Sequence, residues 1–283
     1  MRIAILADIH GNLPALEAVA QDLRHRQPDR VYVAGDLINR CPWSNEVLDF
    51  VAAEGWPALA GNHELVVQML GAPDCPAAFQ DRQRFADLWW TRERLTAKHL
   101  DELADLPDEI WITEGDLPAV YLVHGVPGNP FVGFMPDMPD AQMARYLSGV
   151  DAPVVIGAHS HRPLERRLSG RLVLNPGSVG MPYNGDPRAQ YLLLDAEDKQ
   201  WRASFCRVAY DRELVRRTFI EQGLFDAYGP LGRLYLLTIE SGEPWVSDFT
   251  HWMNCRSNAP GLTQAVSAYL DIHGPGHWSF APE

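Results

Sequence analysis

The chain has 283 residues, with 24 basic against 37 acidic side chains and a formal net charge of −13. That length holds one or two domains with a full core. A composition 46% hydrophobic and 22% charged excludes a disordered or fibrous protein. The acidic balance argues against coating long nucleic acid or docking on anionic lipid, since both rely on Lys and Arg neutralising phosphates.

The first strand is expected at residues 3–7, where an apolar run is cut off by Asp8. The run is too short for a signal peptide's apolar region, and nothing approaches the roughly 20 apolar residues of a membrane span. Residues 13–25 carry apolar side chains at helical spacing, with Pro14 in the first turn. A second strand follows at 31–34. Ser44 is expected to cap a helix running to Glu54, and residues 56–59 to form a third strand. Such alternation builds a parallel α/β sheet, whose ligands bind beyond the carboxyl ends of the strands.

Residues 77–106 read as continuously helical and include Phe85, Trp89 and Trp90; they are expected to be a helical insertion. Strands follow near 109–113 and 119–123, a helix near 141–148 and a strand at 154–156. Residues 164–168 and 171–174 form a hairpin, because Ser169-Gly170 suits a two-residue turn. Residues 191–195 and 201–208 are the last strands of a domain ending near 210. Residues 211–283 change character and read as a C-terminal appendage. The Trp89-Trp90 pair and Trp245, Trp252 and Trp278 read as core or interface. Cys41, Cys75, Cys206 and Cys255 form no C-x-x-C pair and fit idle thiols in a reducing cytoplasm.

Five clusters stand where apolar runs end: Asp8-Ile9-His10, Gly35-Asp36, Gly61-Asn62-His63-Glu64, His124-Gly125 and His159-Ser160-His161. Strand alternation lets both outer residues of D-x-H and of H-x-H face one way. The glycines before Asp36 and Asn62 are expected to let the backbone turn sharply. Carboxylates, a carboxamide and imidazoles converging without a thiolate suit two divalent transition metals, Mn, Fe, Zn, Co or Ni.

The motif series D-x-H, G-D, G-N-H-E, H-G, H-S-H resembles the calcineurin-like metallophosphoesterase superfamily. The segment from Asn175-Pro176-Gly177-Ser178 to Met181-Pro182, followed by Asp186-Pro187-Arg188-Ala189, is similar to its small bacterial and archaeal phosphodiesterase branch, which also holds retromer-subunit-like scaffolds. The likeness covers about residues 1–210. Its motifs are specific for the superfamily and weak for substrate.

The resemblance implies an α/β fold, a four-layer αββα sandwich of two mixed sheets with helices outside. It implies that Asp8, His10, Asp36 and His161 hold one metal. Asp36, Asn62, His124 and His159 would hold the second, with Asp36 bridging. It makes His63 the histidine beside the leaving group. Manganese or iron are the metals expected first. Two departures stand out: Ala158-His159 replaces the usual Gly-His, and Arg40 occupies a position where many relatives carry a small or aromatic residue.

Such a pair of metals would supply a bridging hydroxide as nucleophile and clamp the phosphate oxygens. Asp36 and His63 are thus the expected catalytic residues. Arg40 and Arg162 are candidate phosphate or leaving-group contacts through a bidentate fork, with a solvated surface role as the alternative. Tyr183 and Asn184 are candidates for lining the pocket, with an ordinary turn at Asn184-Gly185 as the alternative. The expected activity is phosphodiester hydrolysis of small or nucleotide-derived esters. A Ser/Thr protein phosphatase, a dinucleotide polyphosphate hydrolase and a non-enzymatic scaffold are the alternatives. Two divalent ions would raise the net charge from −13 to about −9, leaving the site locally positive in an acidic molecule.

Overall fold

Strands of four to nine residues and helices of four to fourteen make up a computed structural model that describes residues 1–73, 75–256 and 261–274. Trp278 lies outside the described residues. The first half runs β1 (Arg2–Leu6), α1 (Leu13–Arg26), β2 (Arg30–Val33), α2 (Ser44–Ala53), α3 (Asn62–Met69), α4 (Ala86–Arg94), α5 (Ala97–Ala104), β3 (Glu109–Ile112) and β4 (Val120–Val123). Next come α6 (Asp140–Tyr146), β5 (Val154–Gly157), β6 (Leu164–Leu168), β7 (Arg171–Asn175), β8 (Ala189–Glu197) and β9 (Gln200–Val208). The chain continues with α7 (Arg212–Glu221), α8 (Leu224–Ala227), α9 (Leu231–Ser241), α10 (Trp245–Asn254) and α11 (Leu262–His273).

Two mixed sheets result, ordered β2-β1-β8-β9 and β3-β4-β5-β7-β6. Strand alternation sorts the core into layers. Ile3 and Ile5 of β1 face inward with Leu122, Ile156 and Leu174 of the other sheet, and this apolar layer joins the two sheets. Ala4 and Leu6 face outward onto Leu16 and Val19 of α1 and Val47 of α2. On the far side, Val123, Val155 and Val173 pack under Met143 of α6. The order helix, sheet, sheet, helix is the four-layer α/β sandwich. Each fully buried aliphatic side chain contributes about 1.5–3 kcal/mol to holding the layers together.

Local chemistry sets the element ends. The Asn12 side chain accepts the Ala15 N–H at 3.2 Å, capping α1. Ser169 and Gly170 adopt φ of 51° and 80°, the two left-handed residues of a tight hairpin turn between β6 and β7.

Three expectations need correction. Residues 56–59 make no strand: Val33 bridges Ala58, and the chain then turns into α3. Ser44 does not cap α2; Trp43 takes that place, and Ser44 Oγ accepts the Asn39 N–H at 3.0 Å. Residues 77–106 are not one helix. A 3₁₀ turn at Ala77–Gln80 gives way to a bend where Asp81 accepts the Gln83 and Arg84 N–H groups. The helix resumes as α4, breaks at Leu95 and restarts as α5 under a Thr96 cap.

The C-terminal helices α7–α11 build a separate apolar cluster around Phe219, Tyr228, Leu234 and Phe249. Trp90 of α4, Cys41 and Met181 join it, and Trp245 and Trp252 pack against it. The segment bearing α4 and the C-terminal helices thus meet at one shared apolar cluster.

Candidate metal centre

Loops at the carboxyl ends of β1, β2, β4 and β5 carry the expected clusters, and α3 opens on Asn62. The reason they converge differs from strand alternation. Asp8, His10, Asp36, His159 and His161 all lie past their strands, with left-handed φ of 52°, 52°, 52°, 63° and 54°. Non-glycine residues pay about 1–2 kcal/mol each for that backbone, so surrounding bonds must impose it. They do: His10 N–H donates to Asp36 O at 2.9 Å, Gly11 N–H to Leu37 O at 2.8 Å and Ser178 Oγ to Asp8 O at 2.8 Å.

Glycines clear the ground. Gly35 takes φ 81°, as expected of a sharp turn. Gly61 does not turn sharply; its φ is −96°, and it is needed because a Cβ there would stand 2.2 Å from Asp36 Oδ1. Glu64, named in the sequence only as the end of the G-N-H-E cluster and given no role, is fully buried and accepts the N–H groups of Asp36 at 2.9 Å, Leu37 at 2.8 Å and Gly61 at 2.7 Å. Its signal was present as a glutamate three residues after a helix-capping glycine. Burial and the nearby Asp36 push its carboxyl up to about 7.

Donor atoms of Asp8, His10, Asp36 and His161 lie within 4.8 Å of one another, as do those of Asp36, His124 and His159. Asp36 Oδ2 stands 3.6 Å from His10 Nε2 and 3.3 Å from His124 Nε2. Asn62 Oδ1 lies 3.0 Å from His124 Nε2 and 2.7 Å from His159 Nδ1. The structure thus brings all seven expected ligand residues together.

Outer contacts fix the rings. His124 Nδ1 donates to Ala34 O at 2.9 Å and His161 Nδ1 to Met181 O at 2.5 Å, which turns each Nε2 inward. His10 is different, since its buried Nδ1 has no partner. Burial holds His10 well below the usual imidazole range and lowers His159 to about 4 and His161 to about 3. His124 runs the other way: burial disfavours its charge, but the Asp36 carboxylate outweighs that and pushes it to about 10.

His63 sits at the edge, its Nε2 3.9 Å from Asp36 Oδ2 and its ring edge-on to His10. Its Nδ1 lies 2.8 Å from the Asn39 amide nitrogen, which also donates to Asp87 Oδ2 at 2.8 Å. Thr91 Oγ1 donates to Asn39 Oδ1 at 2.9 Å, so the amide is oriented from both ends. The His63 Nδ1 therefore accepts, and the ring proton sits on Nε2, facing the centre. Burial lowers His63 to about 4, keeping it neutral.

The candidate substrate residues are more occupied than expected. Arg40 Nη1 pairs with Asp87 Oδ2 at 2.6 Å, and its guanidinium lies 4.3 Å over the Tyr235 ring. Arg162 Nε donates to Tyr183 O at 3.1 Å. Tyr183 stacks on His161 at 4.2 Å and faces the cavity over the donors, while the Asn184 amide engages Gln190. Asn39 and Asp87 were missed by sequence reading; nothing in the pattern around Asp87 marks a helix that reaches the centre.

A family model for the calcineurin-like phosphoesterase superfamily domain matches residues 1–199. The chain belongs to that superfamily. A metallophosphoesterase from Sphaerobacter thermophilus is 30% identical, with a TM-score of 0.67, over 86% of this chain and 100% of that one. A hypothetical protein from Pyrococcus horikoshii OT3, 24% identical over 81% of this chain and 97% of its own, shares the fold with a TM-score of 0.70. An uncharacterized protein of Methanocaldococcus jannaschii is 26% identical over 83% of this chain and 97% of its own.

The residues of this phosphoesterase fit divalent cations. Both oxygens of buried Asp8 lack a hydrogen-bond partner, and burial beside Asp36 pushes its carboxyl well up. His10 Nε2 and His161 Nε2 face each other at 3.1 Å. A cation between such groups supplies what each lacks. No helix among the described residues is long and apolar enough to cross a membrane.

Proposed function

We propose that the chain is a two-metal phosphodiesterase of small phosphate esters. One observation carries the reading: two buried donor sets share the Asp36 carboxylate. In it, Asp8, His10, Asp36 and His161 hold one ion, and Asp36, Asn62, His124 and His159 hold the other. Two divalent ions, manganese or iron first, then zinc, cobalt or nickel, would acidify a water and draw charge from the phosphate oxygens.

The chain's own residues do the rest. Asp36 sets the spacing of the two donor sets. His63, neutral with its proton on Nε2, donates a hydrogen bond to the departing oxygen. Asn39 and Asp87 hold that tautomer in place. Arg40 and Tyr183 line the space of the substrate, and Arg162 is the candidate contact behind Tyr183. Because Arg40 is already paired with Asp87 and Arg162 with a backbone carbonyl, a singly charged diester suits the site better than a doubly charged monoester. The unpaired state of the cysteines supports a cytoplasmic location, and the net charge of −13 supports small substrates over long nucleic acid.

Hydrolysis of bis(p-nitrophenyl) phosphate with Mn²⁺ is the test. Turnover that is abolished by chelation is expected; a folded sample inert with every divalent metal contradicts the reading. Turnover of p-nitrophenyl phosphate alone would move the substrate to monoesters.

A further inference from the structure

Two cavities adjoin at the metal centre. The smaller, about 420 Å³, lies over the donors His10, Asp36, His159 and His161. The larger, about 700 Å³, begins at His63 and runs away from them, between the insertion and α10. Both share Arg40, Asn62 and His63 on one wall and Val246, Thr250 and Asn254 on the other. They form one cleft, with α10 as its roof. Positions 247, 250, 251 and 254 follow helical spacing, and they put Ser247, Thr250, His251 and Asn254 over the donors. The neighbouring face, with Phe249 and Met253, turns to the larger cavity.

The larger cavity is aromatic. Phe79 and Phe85 line it with ring centroids 5.0 Å apart, and Phe131, Tyr235 and Phe249 complete the rings. Phe131 is 48% exposed, an uncovered ring beside the centre. In a molecule of net charge −13, the lining of this cavity carries Arg40, Arg84 and Arg256 against Asp81 and Asp87. Arg40 is paired with Asp87. Arg84 lies over the Phe85 ring of the lining and Arg256 over Trp252 behind it, and neither makes an ion pair among the described residues. The volume is that of a site for a ligand of nucleotide size, and flat rings flanked by guanidiniums are the surface on which a nucleobase stacks.

We propose that this cavity is the leaving-group subsite and that it selects a nucleoside, making nucleotide-type phosphoesters the substrate class. The proposal rests on the two-metal reading above for the position of the phosphate. The leaving oxygen then lies beside His63, where both cavities meet, and the base reaches Phe79 and Phe85. Alkyl esters fill the smaller cavity alone. Neither the insertion nor the C-terminal helices suffice separately, because each supplies one wall.

The test uses the full, Mn²⁺-loaded chain and two probes that cannot be hydrolysed. One is an adenosine methylphosphinate, a singly charged diester analogue with carbon in place of both ester oxygens, the other ethyl(methyl)phosphinate, both measured by titration calorimetry. The adenosine probe is expected to bind at least about ten-fold more tightly. In Phe85→Leu, which keeps the apolar packing, and in Thr250→Trp, which fills the cleft from an exposed position, that ratio falls below about three-fold. Equal affinity for the two probes in the wild-type chain overturns the proposal, as does an unchanged ratio in both folded variants. Diester hydrolysis is followed in parallel. Hydrolysis without the preference refutes the subsite alone; preference without hydrolysis supports the subsite and refutes the catalytic reading.

Discussion

The floor and the roof of the cleft are built on opposite terms. The floor is a set of loops from one sandwich, tied by backbone hydrogen bonds and by Glu64, with five donor residues held in left-handed backbone. The roof comes from distant segments, α4, α9 and α10, and meets the floor where Arg40 pairs with Asp87 of α4 and lies over Tyr235 of α9. A floor so fixed admits little change in chemistry; a roof of separate helices can alter substrate and leave the donors in place.

The floor is most vulnerable at Asp36. Asp36→Ala removes a donor from both sets and should lower kcat for diester hydrolysis roughly 10⁴-fold. A loss under about ten-fold would mean that the two sets do not act together. Next in size is His63→Gln, expected to cost about 10²–10³-fold in kcat with KM little moved. Asn39→Leu touches only the link between floor and roof. It should lower kcat roughly ten- to hundred-fold by releasing the His63 tautomer, with KM unchanged.

Acid should loosen the floor before the roof. His10, His63, His159 and His161 are depressed, the last three to about 4, 4 and 3, so the unfolded chain takes up protons first as pH falls below 6.5. Asp8 and Glu64, both raised, oppose with two protons. His124, raised to about 10, opposes as well near pH 6.5 but no longer below pH 6, where the unfolded chain protonates it too. Four against two thus leaves a net loss of stability between about pH 6 and 4. Melting temperature in chelator, followed across that window, should fall; a flat or rising curve would contradict the assigned directions. The smallest effect is expected at Arg162→Ala, under about three-fold in kcat/KM, because its guanidinium bonds to a backbone carbonyl.

Much of the floor was legible in the sequence. The clusters at Asp8, Asp36, Asn62, His124 and His159 stood after apolar runs, and the structure brings them together. The stated cause was incomplete, since the side chains converge through left-handed loops rather than strand alternation. The hairpin at Ser169-Gly170 was readable because the turn chemistry is local. The roof was not readable. Helical periodicity ran unbroken through 77–106, while the Asp81 bend and the Thr96 cap break it in the structure. The pairing of Asp87 with Arg40 depends on packing between elements, for which a single sequence holds no period or motif.

The central claim is that Asp36 joins two metal sites. Elemental analysis of the purified chain after reloading with Mn²⁺ tests it directly, on the wild type and on His124→Ala and His161→Ala. Two ions per chain are expected in the wild type and one in each variant. A single ion in the wild type, or two retained in both variants, would contradict it.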